Sequence, residues 1–172
     1  MLSLARLNAL SHGEAGTLFR SCCAASRWIE AMVNARPFAT RTRLFGVADA
    51  AWEATGPDDW REAFAAHPRI GERADASRFG DQSSAWSGAE QGRAAEAPDE
   101  MRRELATLGR EYERRFGTIY IVCANGRAGE DLLADLRSRL GNSAGQELEI
   151  AAREQHRITR VRLDKLISAE EA

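Results

Sequence analysis

The chain has 172 residues, enough for one domain with its own core and too few for two of ordinary size. Hydrophobic residues make up 44% and charged residues 29%, a globular composition that excludes a disordered chain, a collagen-like chain and a disulfide scaffold. The 24 basic and 26 acidic residues leave a net charge of -2, so no positive field is available to hold a phosphate backbone, and nucleic acid is excluded as an expected partner.

In chain order, Met1 to Leu10 is interrupted by Arg6 and Asn8 and does not read as a signal peptide. Ser11-His-Gly-Glu14 has capping-box spacing and opens a helix carrying Leu18, Phe19, Cys22 and Cys23. Trp28, Ile29, Met32 and Val33 predict a second helix that stops at Arg36-Pro37, because the residue before proline is driven out of the helical region. Leu44, Phe45, Val47, Ala48, Ala51 and Trp52 predict a third over 42–55, closed by Gly56-Pro57. Pro57 opens the next, with Asp58 and Asp59 at its positive end and Trp60, Phe64 and Ala65 on its apolar face. It ends at His67-Pro68, so His67 is expected at a helix exit.

Residues 69–86, rich in Gly, Ser, Asp and Arg, predict a long loop, of a length that is often functional inside a small domain. Glu90 to Arg115 predicts a helix broken near Pro98. Ile119 to Ala124 is an apolar run too short to assign by periodicity. It has no convincing partner strand elsewhere, so a buried extended segment or a helix is favoured over a strand. Residues 129–140 form a helix through Leu132, Leu133, Leu136 and Leu140, stopped by Gly141. Ser143-Ala-Gly-Gln146 then caps a long last helix reaching about Ile167. The fold class is all-α, a single compact multi-helix domain over 1–172 with a short extended apolar segment near 119–124.

Several residues could carry chemistry. Along the last helix, Leu148, Ala151, Gln155, Ile158, Arg162 and Leu166 fall on one stripe, which turns Arg162 inward. Such an arginine either pairs within the core or receives a ligand carboxylate through two parallel hydrogen bonds. His67 either caps its helix or serves as an acid/base, since a helix C-terminus favours the imidazolium. Ser87-Gly-Ala-Glu90-Gln91 has capping-box spacing, yet the same residues could face an anionic or polar ligand. The histidines His12, His67 and His156 show no metal-ligand spacing, and no phosphate, flavin or pyridoxal motif is present, so no metal and no cofactor are expected. Three cysteines without a C-x-x-C pair fit a reducing, bacterial-type cytoplasm. The C-terminal Ser-Ala-Glu-Glu-Ala carries no peroxisomal signal. No apolar run approaches the roughly 20 residues of a membrane span.

Taken together, His67-Pro-Arg-Ile-Gly71, Ser87-x-x-Glu90-Gln91, Phe116-Gly-x-x-x-Ile-Val-Cys-Ala124 followed by Asn125-Gly-Arg127, and Glu154-x-x-x-Ile158-x-x-x-Arg162-Leu163 resemble the pattern of the OHCU decarboxylase family. Trp28, Arg36-Pro37-Phe38 and Asp59-Trp60-x-Glu-Ala-Phe64 extend the resemblance over nearly the whole chain. The chain departs from the usual pattern at Thr118 and Tyr120, which bears on the shape of the pocket wall.

The resemblance implies an all-α homodimer without cofactor. The implied reaction is decarboxylation of 2-oxo-4-hydroxy-4-carboxy-5-ureidoimidazoline to (S)-allantoin, the last step from urate to allantoin. It implies His67 and Glu90 as catalytic residues, with Pro68, Ser87, Gln91 and Arg162 binding substrate. The run Ile119, Tyr120, Ile121, Val122, Cys123 and Ala124 would line the site with backbone groups. The competing expectation is a helical interaction module of a urate-degrading assembly that has lost activity.

Overall fold

The computed structural model describes residues 2–70, 86 and 97–167. Among these, eight helices follow one another: α1 Leu4–Ala9, α2 His12–Cys22, α3 Ser26–Asn34, α4 Arg41–Glu53, α5 Pro57–Ala65, α6 Asp99–Phe116, α7 Gly129–Arg139 and α8 Ala144–Leu166. No strand occurs among the described residues, where the β-type pairing is an isolated parallel bridge between Leu2 and Ile167. The fold is all-α. Two compact units are distinguished, Met1–Ala63 with His156–Ala172 and Phe64–Gln155.

In the first unit the chain punctuation acts as the sequence suggests. Ser11 Oγ accepts from the Glu14 N–H (3.3 Å) and the Glu14 carboxylate accepts from the Ser11 N–H (2.9 Å), so α2 begins in a reciprocal cap. Helix α3 has no side-chain cap of its own; Glu62 of α5 supplies one, accepting from the Ser26 N–H at 2.9 Å. Helices α2 and α4 both pack on α3. There the Phe19 ring meets Trp28 and Phe38 edge-on, with centroids 6.0 and 6.4 Å apart, and Trp28 Nε1 donates to the Ala48 carbonyl at 3.0 Å. Full burial of each such side chain contributes about 1.5–3 kcal/mol. Helix α1 had no counterpart among the predicted elements; its six residues are capped by Ser3 and bury Leu7.

In the second unit α6 packs against α7. Their shared core holds Leu105, Tyr112, Leu132, Leu133 and Leu136, together with Tyr120, Val122 and Ala124 from the intervening run. The break predicted near Pro98 falls at the start of α6, with Asp99 and Glu100 in its first turn. Of the expected 90–115 helix, the part before Ala97 lies outside the described residues, as does most of the 69–86 loop. Ser143 and Gln146 cap α8 as their spacing indicates, the Ser143 N–H donating to Gln146 Oε1 at 3.1 Å. The apolar stripe of α8 differs at its start. Leu148 is only half-buried, while Glu147, one position earlier, is buried because it faces Arg139 and Tyr112.

Candidate active site

The run between α6 and α7 is framed by two glycines. Gly117 (φ 72°) and Gly126 (φ 76°) occupy the left-handed region, where a side chain would be strained, and so permit the sharp turns that release the chain from α6 and return it toward α7. Between them residues 119–124 form neither helix nor strand. Burial of Tyr120, Ile121, Val122 and Ala124 makes this the extended buried segment expected from its apolar composition.

Buried backbone must satisfy its polar groups without a neighbouring strand, and here side chains do part of that work. Arg139 Nη1 donates to the Ile121 carbonyl at 2.8 Å, and the Cys123 N–H donates to Glu154 Oε2 at 2.8 Å. The Tyr120 hydroxyl donates to Asp135, and burial together with that hydrogen bond pushes its pKa above the usual tyrosine value. The peptide groups of Tyr120 and Val122, residues each 5% exposed, form no hydrogen bond among the described residues. The same holds for the Ile119 peptide groups and for the N–H groups of Ile121 and Ala124.

Arg139 belongs to a larger buried network. It is 4% exposed and Glu147 is 1% exposed; Arg139 Nε donates to Glu147 Oε1 at 2.7 Å, Nη2 donates to the Tyr112 hydroxyl at 3.3 Å, and Tyr112 in turn donates to Glu147. Asn142 Nδ2 fills the second carboxylate oxygen at 2.9 Å. Burial works against the guanidinium charge, but the Glu147 hydrogen bonds overcome it and hold Arg139 firmly protonated.

His67 lies two residues beyond α5, half-buried, its N–H donating to the Phe64 carbonyl at 3.1 Å. Pro68 is buried behind it, and Arg69 grips Glu113 of α6 with two hydrogen bonds of 2.6 and 3.1 Å. Ile70 packs on the core cluster that contains Tyr120 and Val122, and shares with Tyr120 the wall of a cavity of about 130 Å3. The second unit therefore brings Arg69 and Ile70, which follow His67 and Pro68 in the chain, beside Tyr120 of the 119–124 run. Ser87, Glu90 and Gln91 lie outside the described residues.

Arg162 is in the first unit, on the buried face of α8 at 3% exposure, and its Nη1 donates to the Ser21 carbonyl at 3.2 Å. Close by, burial pushes the Cys23 thiol up to about 11, so it stays protonated at neutral pH. None of the three cysteines is in a disulfide. A larger, open groove of about 630 Å3 in the same unit is lined by Arg41, Phe45, Asp49, Arg160 and Asp164, whose charges close on one another as Arg41–Asp164 and Arg160–Asp49 ion pairs. Among the described residues no three His, Cys, Asp or Glu side chains gather as a metal site, and no helix is long and apolar enough to cross a membrane.

The sequence reading missed Arg139, Glu147 and Tyr112, and took Glu154 only as part of a motif. A signal was present: Leu132, Leu136 and Arg139 are spaced i, i+4, i+7 on α7, as Glu147, Ala151 and Glu154 are on α8.

A family model described as OHCU decarboxylase matches residues 8–164. The chain is 35% identical over 150 residues to the uric acid degradation bifunctional protein TTL of Arabidopsis thaliana, covering 87% of this chain and 46% of that protein. It is 37% identical over 60 residues to the 2-oxo-4-hydroxy-4-carboxy-5-ureidoimidazoline decarboxylase of Amia calva, covering 35% of this chain and 34% of that one. The chain thus aligns with less than half the length of either curated relative. Among solved structures, a crystal structure of OHCU decarboxylase in the presence of (S)-allantoin is 33% identical with a TM-score of 0.75, over 88% of this chain and 97% of that one. A crystal structure of (S)-allantoin synthase, 18% identical with a TM-score of 0.74 over 100% of this chain and 56% of that one, shares the fold. By the family match over nearly its full length, the chain belongs to the OHCU decarboxylase family.

Proposed function

We propose that the protein decarboxylates 2-oxo-4-hydroxy-4-carboxy-5-ureidoimidazoline to (S)-allantoin without a cofactor, as a homodimer in a bacterial-type cytoplasm. The observation that carries this reading is the solved OHCU decarboxylase crystallised in the presence of (S)-allantoin, 33% identical and matched over 97% of its length. The open peptide groups of Tyr120 and Val122 support it, since a ring carrying amide-type N–H and C=O groups is a fitting partner for them.

The chemistry needs little from the protein. The substrate carries a carboxylate and a hydroxyl on one ring carbon beside a C=N bond. As the carbon–carbon bond to the carboxylate breaks and CO2 leaves, its electron pair forms a double bond to the ureido-bearing carbon, and the C=N electrons move onto the ring nitrogen, which takes up a proton from solvent. The substrate is its own electron sink, the task for which other decarboxylases recruit a cofactor. The enol so formed loses its hydroxyl proton, and the ureido-bearing carbon gains a proton on one face.

In this reading His67 moves one of those protons, and Glu90 holds the hydroxyl or ureido groups by hydrogen bonds. Ser87 and Gln91 orient the ring, Pro68 packs beside it, and the peptide groups of residues 119–124 line its edge. Arg162 docks the substrate carboxylate or a carbonyl oxygen. A guanidinium that gripped the departing carboxylate too tightly would stabilise the ground state, so Arg162 serves docking rather than rate. The homodimer rests on the family resemblance, and the cytoplasmic location on cysteines that form no disulfide.

The test is addition of the protein to freshly generated substrate, followed by circular dichroism. An enantiomerically enriched (S) product formed faster than spontaneous decay is the expected result. Racemic product at the uncatalysed rate from folded protein would leave the inactive interaction module as the correct reading.

A further inference from the structure

The Ile121 carbonyl and the Cys123 N–H are two residues apart, the pair that an extended chain presents along one edge. Both are taken by side chains: Ile121 by Arg139 Nη1 and Cys123 by Glu154 Oε2, each at 2.8 Å. In an extended chain the residue between them, Val122, presents its own N–H and C=O along the opposite edge; like the Ile121 N–H, they meet no hydrogen-bond partner among the described residues. Tyr120 shares that register, with its peptide groups likewise open and its hydroxyl tied to Asp135 on α7. A lone extended segment has no neighbouring strand to fix its register, and a small rotation about its axis would exchange the two edges.

We infer that Arg139 and Glu154 are positioning residues that stand in for a missing neighbouring strand, clamping one edge of residues 121–123 so that the Tyr120 and Val122 peptide groups face the substrate. The inference rests on the decarboxylase reading for the identity of the ligand, and on the two hydrogen bonds for the clamp itself.

The two anchors differ in how they are held. Arg139 is locked from behind by Glu147, whose carboxylate also takes Tyr112 and Asn142, so its fork is fixed before it meets Ile121. Glu154 presents its Oε2 to the Cys123 N–H, a role that a neutral amide oxygen can also fill. That distinction makes Glu154 the cleaner site for an experiment, because Glu154→Gln keeps an acceptor for the Cys123 N–H and Glu154→Ala removes it.

The experiment compares the full-length parent with both variants by kcat and KM on freshly generated substrate, product chirality, thermal melting, and backbone amide NMR during titration with (S)-allantoin. Allantoin is expected to shift the Val122 and Tyr120 amides in the parent. Glu154→Ala is expected to lower kcat by about 10- to 100-fold, the scale set by displacements on the order of 1 Å in a site, with product drifting toward the racemate. Glu154→Gln is expected to restore kcat and chirality to within about threefold, as it retains the geometry of the hydrogen bond. The clamp is refuted if Glu154→Ala keeps parental kcat, KM and chirality, or if its loss of rate follows only the fraction unfolded. Equal impairment of Glu154→Gln and Glu154→Ala would also overturn it, by making the charge and not the acceptor the active feature. A parent that never turns over the substrate would sink the decarboxylase reading alone. The amide shifts of Val122 and Cys123 in Glu154→Ala then decide the clamp, unmoved shifts refuting it.

Discussion

Each unit of the molecule contains a network of one carboxylate with an arginine and further donors, and the two differ chiefly in their contact with water. In the second unit Glu147 is 1% exposed and is closed by Arg139, Tyr112 and Asn142. In the first, Asp49 has a side chain 32% exposed and receives Arg160 from α8 and His156 at 2.8 Å, with the Trp52 ring stacked on the imidazole. The same ionic chemistry therefore does two jobs. In the dry setting it specifies one arrangement of α6, α7 and α8 around the 119–124 run, because any broken contact strands a desolvated charge. In the wet setting water and salt replace whatever is lost, so the network trims the surface with little hold over the fold.

The strongest way to break this contrast is to remove one partner of the buried network. Arg139→Met leaves Glu147 without its cation, and a stability loss of about 3–5 kcal/mol is expected in urea unfolding. Replacing both, as Arg139→Met with Glu147→Leu, is expected to recover much of that loss, since the penalty comes from the stranded carboxylate. If the double variant is no more stable than the single one, the network contributes through its hydrogen bonds to Ile121 and Tyr112 instead.

That network also marks where the sequence stopped being readable. Apart from the short α1, the helices were evident from caps and periodicity: Ser11 and Ser143 form the boxes their spacing suggests, Pro57 opens α5, and Gly141 follows the end of α7. Arg162 was placed on the buried stripe of α8 by the same logic, and it is buried. Arg139 satisfied that logic equally, but Leu140 beside it completed an apolar stripe for α7, so nothing forced the arginine inward. Its partner Glu147 was hidden in the same way by Leu148. Pairing between charges on different helices has no local signature, and neither does the hydrogen bonding of residues 119–124, which depends on α7 and α8 arriving from later in the chain. Of the candidate site, the His67 helix exit and the buried run were visible, whereas Glu154 entered only as part of a family motif.

The next effect separates turnover from stability. If His67 and Glu90 are the acid/base and its companion, His67→Asn and Glu90→Gln are expected to stay within about 1 kcal/mol of the parent in stability. Activity is expected to fall about 10²-fold, the scale for losing a general acid or base, and the product to approach the racemate. Near-parental rate and chirality with lowered melting temperatures would instead class both as helix caps, on the structural side of the comparison with Glu147.

Arg162 tests whether a buried arginine in the first unit resembles Arg139. Arg162→Lys keeps the charge and loses the planar fork, so KM is expected to rise about tenfold, in line with roughly 1.5–3 kcal/mol for a charge-assisted hydrogen bond. Weakened folding in denaturant combined with unchanged allantoin binding would make Arg162 a structural residue like Arg139.

The smallest effect belongs to Asp49, and it carries a pH signature. Partial burial works against its charge, but hydrogen bonds from Arg160 and His156 overcome this and hold the carboxyl below the usual aspartate range in the folded protein. A group whose pKa is lowered on folding stabilises the native state above its unfolded pKa of about 3.9, and that contribution disappears as the pH falls through the lower folded value. Asp49→Asn is therefore expected to cost about 0–1 kcal/mol near neutrality, the range for a solvated ion pair. The gap between parent and variant should close progressively as both are acidified below about pH 4, and should narrow in high salt even at neutrality. Urea unfolding at several pH values and two salt concentrations provides the measurement. A gap that survives both acid and salt would mean that Asp49 acts through neutral hydrogen bonding to His156 under Trp52, and the contrast between a dry network and a wet one would lose its second member.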